Sequence, residues 1–227
     1  MTIDTSTITL RTVDGHELSA YRAAPPNPIG GIVLLHEIFG VNQHIREVSE
    51  GYAREGYLTI APALFDRAER DVELGYDKAA IDKGRDLREA VGWRGALLDV
   101  QATINAAEEG GPVAVIGYCW GGSLAFVAAA RLIGLSCAVG YYGAQTMPFA
   151  QEEVHVPVML HFGEFDPRIP PEDIETIRSA NPEIDIHSFP ADHGFNCDHR
   201  KEWHTESAQR ALTLTLGFLR RHLSTAA

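Results

Sequence analysis

The most constraining stretch of this 227-residue chain is Gly117-Tyr118-Cys119-Trp120-Gly121-Gly122. Before it stands Pro112-Val113-Ala114-Val115-Ile116-Gly117, a short apolar run of the kind buried on both faces of a parallel sheet. After it, Ser123 to Leu132 is apolar nearly all round and reads as a helix packed deep against that sheet. A strand that turns into a helix within so few residues needs glycines for the sharp turn, and the residue at its tip is held on strained backbone clear of the sheet. Cys119 occupies that tip, at a helix N-terminus, where the macrodipole favours thiolate. The N–H of Trp120 points where an oxyanion would form. An isolated cysteine reads more plainly as a small buried hydrophobe, so the nucleophile reading depends on partners elsewhere in the chain.

Two such partners follow strand-like runs. His161-Phe162-Gly163-Glu164-Phe165-Asp166-Pro167 offers an acid, and Ala191-Asp192-His193-Gly194-Phe195 a histidine. The order nucleophile, acid, histidine is that of the α/β-hydrolase fold, and each residue falls in a loop after a strand, where an open α/β sheet places ligands. Glu164 competes with Asp166, whose direction is better fixed by the following proline. Asp192, adjacent to His193, cannot readily turn back on its ring. His36, His161, His199 and His204 are rivals of His193, which is favoured because Gly194 gives an exposed loop histidine backbone freedom. His193, Cys197, Asp198, His199 and His204 also crowd together as metal-ligand types. His199 and His204, five apart, do not share a helical face, and Gly194 breaks a regular helix. These two histidines then read as solvated residues opening the last helix, and neither a metal nor a cofactor is expected.

The remaining chain predicts an alternating α/β domain spanning 1–227, without repeats or long linkers. Thr7–Arg11 and Glu17–Arg22 form a hairpin turning at Asp14-Gly15. Strands follow at Gly30–His36, Tyr57–Ala61, Ser136–Tyr142, Val156–Gly163 and Ile184–Phe189. Helices are expected at His44–Glu55, across Asp77–Glu108 with a break near Gly92, at Pro171–Ala180 and at Lys201–His222. The fold class is a mainly parallel central sheet with helices on both faces and an antiparallel N-terminal hairpin.

Composition narrows the partners. With 45% apolar and 22% charged residues the chain is ordinary globular material. Nineteen Lys and Arg against thirty-one Asp and Glu give a net charge of −12, which argues against nucleic acid and an anionic membrane surface. Three cysteines, Cys119, Cys137 and Cys197, suggest a reducing compartment. No basic and apolar leader is visible at the N-terminus, and no apolar run approaches the ~20 residues of a membrane span. A cytoplasmic protein, monomer or small homo-oligomer, acting on a small molecule is expected.

Together Gly117-Tyr118-Cys119-Trp120-Gly121-Gly122, His36-Glu37-Ile38-Phe39-Gly40, Gly140-Tyr141-Tyr142-Gly143 and His193-Gly194-Phe195 resemble the dienelactone hydrolase (carboxymethylenebutenolidase) family, from about Gly30 to the last helix. The resemblance implies a triad of Cys119, Asp166 and His193, and an oxyanion hole from the N–H groups of Ile38 and Trp120. It implies hydrolysis of an activated ester or enol lactone through a cysteinyl thioester. A broad carboxylesterase or thioesterase is the alternative, followed by a binding protein with a degenerate pocket. Glu37, read alone, is either functional or half of a structural ion pair, perhaps with an arginine. In the family the matching glutamate contacts the resting thiol, which disfavours thiolate until substrate arrives and protects it from oxidation. The family's substrate-gripping arginine, four residues after the histidine, is Cys197 here. For the second such arginine Arg67, Arg70 and Arg85 are the candidates. Phe39, Tyr142 and Phe195 are expected to wall the pocket, with Trp120; Phe65 fits wall or core equally.

Overall fold

The computed structural model describes residues 2–224. The N-terminal hairpin pairs β1 (Asp4–Arg11) with β2 (Glu17–Ala24), antiparallel, with Leu10 opposite Leu18. It starts earlier than the sequence pattern suggests, because the polar residues from Asp4 onward still find backbone partners along β2. The apolar runs become β3 (Gly31–Leu35), β4 (Leu58–Pro62), β5 (Val113–Tyr118), β6 (Leu135–Tyr141) and β7 (Val158–Gly163), with β8 (Asp185–Phe189) at the edge. The sheet order is β1-β2-β4-β3-β5-β6-β7-β8, antiparallel at β1–β2 and β2–β4 and parallel elsewhere. Every residue of β3, β4, β5 and β7 is buried, as their unbroken apolar character requires.

The helices are α1 (Gln43–Arg54), α2 (Lys78–Ala107), α3 (Trp120–Arg131), α4 (Pro171–Ala180) and α5 (Thr205–His222). Asn42 and Asp77 cap α1 and α2 by accepting from the Ile45 and Ala80 amides at 3.3 and 2.8 Å. The expected break in α2 is present, with Gly92 at φ 63° and ψ 168°. Two helix starts differ from expectation. α3 begins at Trp120, because the turn runs straight into the helix. α5 begins at Thr205, because 195–204 form an irregular loop whose turns close on themselves. Parallel crossovers are right-handed. The chain moves from β3 outward to β4 through α1, then crosses back through α2 to β5, so α1 lies on one face and α2 and α3 on the other. The reversal leaves β3 and β5 as neighbours whose chains depart in opposite directions. The crevice at their carboxyl ends is where such sheets bind ligands, and His36-Glu37-Ile38 and Cys119 emerge there. Among the described residues no helix is long and apolar enough to cross a membrane.

Arg67, in the turn Leu64–Arg67, is structural. It binds Asp99 of α2 through Nε and Nη2 at 3.0 and 2.8 Å, and Asp14 of the hairpin turn through Nη1 at 2.9 Å. Asp99 is fully buried; burial pushes its carboxyl up to about 6 against the pull of Arg67. Arg67→Ala strands that carboxylate and should lower the unfolding free energy by about 3–5 kcal/mol at neutral pH. Without the pull of Arg67 the Asp99 carboxyl rises further and takes up its proton at a higher pH than in the wild type, so the deficit should shrink as pH falls toward about 6 and level off below it. Urea unfolding at several pH values measures both.

Candidate active site

Cys119 has φ 54° and ψ −114°, a left-handed backbone that costs a side-chain-bearing residue about 1–3 kcal/mol. The strain is sustained because both of its peptide groups are held: its N–H donates to the Tyr141 carbonyl at 2.9 Å, and its carbonyl accepts from Ser123 N at 3.1 Å. The turn closes tightly enough that a Cβ on Gly117 would lie 1.9 Å from the Gly121 carbonyl oxygen. The glycine spacing seen in the sequence therefore reflects backbone-to-backbone contact across the turn.

The three loops converge. Cys119 Sγ lies 3.1 Å from His193 Nε2, and His193 Nδ1 lies 2.6 Å from Asp166 Oδ2. The other Asp166 oxygen accepts the Arg168 amide at 2.9 Å, so the carboxylate cannot swing away. Cys119, Asp166 and His193 are 9%, 4% and 3% exposed. Glu164, the rival acid, points to solvent, and Asp192 accepts only from the His193 amide. The rival histidines are engaged elsewhere: His36 with the Glu37 carbonyl, His161 with Thr215, His199 with Glu47 and His204 with Ser207. His193 is buried, not exposed as the loop reading supposed. Gly194, at φ 82°, still supplies the turn that brings it inward. Burial works to lower the His193 pKa. The charge of Cys119 and the hydrogen bond to Asp166 outweigh it and hold the group up at about 9.

The N–H groups of Ile38 and Trp120 donate to no protein acceptor among the described residues, and both residues border a cavity of about 120 Å³ with Cys119. Its other walls are Arg85, Arg88, Ala144, Gln145 and Arg168. The guanidiniums of Arg88 and Arg168 meet no carboxylate within 4.0 Å among the described residues, and Arg85 reaches only Asp82, at 4.0 Å. Of the three candidate arginines, Arg85 alone reaches the cavity. Arg67 is occupied as above, and Arg70 binds the Glu17 carbonyl and Asp66.

Several expected site residues play other parts. Tyr142 and Phe195 are fully buried and are absent from the cavity wall. Tyr142, turned inward by its own left-handed φ of 38°, packs edge-on against the His193 ring at 5.1 Å, and Phe195 lies behind Tyr142. Phe39 packs on Tyr76 and under the Arg200 guanidinium. Phe65 is core, stacked on Trp120 at 5.7 Å. Glu37 Oε1 is bound by Arg200 Nη1 at 3.1 Å, and the hydrogen-bond partner of the Cys119 thiol is His193, not Glu37. Cys197 is fully buried against the Tyr76 hydroxyl, and burial pushes its thiol up to about 12. Arg200 thus supplies a guanidinium beside Glu37 where Cys197 does not. Sequence spacing missed it, along with Arg88 and Arg168, because Arg88 reaches the site from α2 and Arg168 and Arg200 from separate loops.

The dienelactone hydrolase family model matches residues 18–223. A carboxymethylenebutenolidase of Pseudomonas putida is 32% identical over 84% of this chain and 86% of its own. A Synechocystis protein provisionally given the same name is 34% identical over 93% and 95%. A crystal structure from Klebsiella pneumoniae, provisionally named a dienelactone hydrolase, superposes with TM-score 0.86 at 29% identity over 97% of this chain and 100% of the other.

If the charge of Cys119 holds His193 protonated, Cys119→Ala should move the His193 titration down from about 9. NMR of the imidazole protons reads this directly; an unmoved midpoint would refute the coupling.

Proposed function

The chain belongs to the dienelactone hydrolase family, and on that premise we propose that it hydrolyses a small activated ester or enol lactone carrying an anionic group, with Cys119 as nucleophile. One observation carries the proposal: the line Asp166–His193–Cys119, at 2.6 and 3.1 Å, meets a cavity walled by Ile38, Trp120 and three arginines.

The steps follow from these groups. The Cys119 thiolate adds to the substrate carbonyl, and the oxygen takes up negative charge beside the Ile38 and Trp120 amides, whose hydrogens are free to stabilise it. Collapse expels whichever group leaves more readily. A thiolate leaves far more easily than an ordinary alkoxide or unprotonated amine, so unactivated esters and amides revert. An enolate or aryloxide departs instead, taking the proton from His193 Nε2, and leaves Cys119 as a thioester. With the sulfur acylated, His193 has lost the charge that held its proton. It is then a neutral base, oriented by Asp166, that takes a proton from water as the hydroxide oxygen attacks the thioester. Expulsion of Cys119 thiolate and release of the acid restore the resting pair. Glu37, fastened to Arg200, is positioned as a fixed carboxylate close to this chemistry rather than as the thiol's resting partner.

Substrate class follows from size and charge. A cavity of about 120 Å³ is well below the ~300–1,000 Å³ of sites for drug-sized ligands, so the acyl part is small. Three guanidiniums at the mouth of a chain of net charge −12 make a local positive field, which fits a substrate carboxylate. That replaces the anchor missing at Cys197.

Cys119→Ala should cut turnover of an activated aryl ester on the order of 10⁴-fold. Replacing Arg88 and Arg168 with Gln should raise KM roughly tenfold or more for an aryl ester bearing a distal carboxylate, and leave its neutral analogue nearly unchanged. Equal effects on the two esters would remove the anionic substrate from the proposal, and retained activity without Cys119 would remove the thioester.

A further inference from the structure

His44 lies in the first turn of α1 with its side chain 3% exposed, and neither ring nitrogen has a hydrogen-bond partner among the described residues. A buried imidazole left in this state is costly unless something engages a nitrogen lone pair. What faces it is a set of further donors. His44 Nδ1 is 3.3 Å from Asp198 Oδ1, close enough for attraction but outside hydrogen-bond geometry. The ring of His199 is 5.4 Å from that of His44, and its Nε2 stands 3.9 Å from the same Asp198 oxygen. One ligand atom from each of His44, Asp198 and His199 lies within 4.8 Å of the others. Glu47, one turn along α1 from His44, places Oε2 at 2.7 Å from His199 Nε2.

We propose that His44, Asp198 and His199, with Glu47 closing the fourth position, bind a divalent cation of the zinc class. Two imidazoles with two carboxylates form a borderline ligand set suited to zinc and its first-row neighbours, whereas magnesium and calcium take oxygen ligands. Ligands about 2.1 Å from a tetrahedral ion stand roughly 3.4 Å apart, which the 3.3 and 3.9 Å separations within the group of three approach; Glu47, outside that group and 2.7 Å from His199 Nε2, has to turn to become the fourth ligand. The ligand whose position is fixed is the buried one. Asp198, His199 and Glu47 are half-exposed or exposed side chains that close the shell by rotation. With Glu47 turned in as the fourth ligand no position is left open, which would make the site structural rather than catalytic. It would clip the loop of residues 194–204 to the start of α1, and Arg200, the partner of Glu37, is the residue directly after His199. The sequence expectation of no metal rested on His199 and His204 sharing no helical face. The structure sends His204 to Ser207, Cys197 to Tyr76 and His193 to Cys119, and gives His199 a partner from α1 instead.

None of these residues belongs to the Cys119–His193–Asp166 line, and the test needs no turnover. Chelator-treated full-length protein carrying Cys119→Ala, so that no active-site thiol competes, is titrated with Zn²⁺ by calorimetry and with Co²⁺ by visible absorption. The expected result is saturable one-to-one Zn²⁺ binding at micromolar metal, with Co²⁺ giving the bands of a four-coordinate nitrogen and oxygen site. His199→Ala, a change at a partly exposed loop side chain that should leave the fold intact by circular dichroism, should weaken binding by at least roughly tenfold. His44→Phe should do the same while filling the same space. Binding only at millimolar metal, or binding indifferent to His199→Ala, overturns the proposal.

Discussion

The site depends on one forced backbone conformation, the left-handed turn at Cys119. Gly117 pairs with Leu35 of β3 on one side and Gly140 of β6 on the other, so the turn begins from the middle of the sheet and cannot drift. The same register fixes where β3 ends, and so where His36, Glu37 and Ile38 leave the sheet. Everything that faces the thiol is referenced to these three strands. Relaxing the turn would cost the two backbone hydrogen bonds that flank Cys119, and the sheet therefore holds a conformation that an isolated peptide would abandon.

The electrostatics run against the composition. The molecule is acidic overall, yet the Cys119 cavity is ringed by guanidiniums. Its buried histidines show the same dependence on immediate neighbours. Burial, with the neighbouring His187, holds His161 down at about 3, and burial takes His36 down to about 4 despite its contact with the Glu37 carbonyl, while His193, also buried, is held up by the groups on both of its nitrogens. Desolvation sets a common penalty, and the partner decides the sign of the result.

Much of this was legible in the linear pattern, for identifiable reasons. Unbroken apolar runs report strands covered on both faces, and their alternation with helical stripes reports the parallel sheet. The glycines around Cys119 report close backbone contact, and the acid and histidine each follow a strand by a short loop. What sequence spacing could not reveal were convergences between distant loops. Arg88, Arg168 and Arg200 are long side chains whose targets depend on the folded paths of α2 and of the loops after β7 and β8. His44 and His199 meet only because α1 and the 195–204 loop lie together. Tyr142, expected as the last residue of a strand, falls one residue past the end of β6, and its positive φ, which turns the ring behind His193, has no signature in a Tyr-Tyr pair.

The three thiols differ in a way that bears on the protein's chemical lifetime. Cys137 and Cys197 are fully buried, and burial pushes both to about 12, so they remain protonated and poorly nucleophilic. Cys119 alone meets the cavity. Should peroxide convert it to a sulfenic acid, neither of the other cysteines is in a state to condense with it, and no internal disulfide would stop further oxidation. Recovery must come from an outside thiol small enough to enter the same arginine-lined opening that admits substrate. The chemistry of the surrounding thiol pool thus becomes part of how long each molecule stays active.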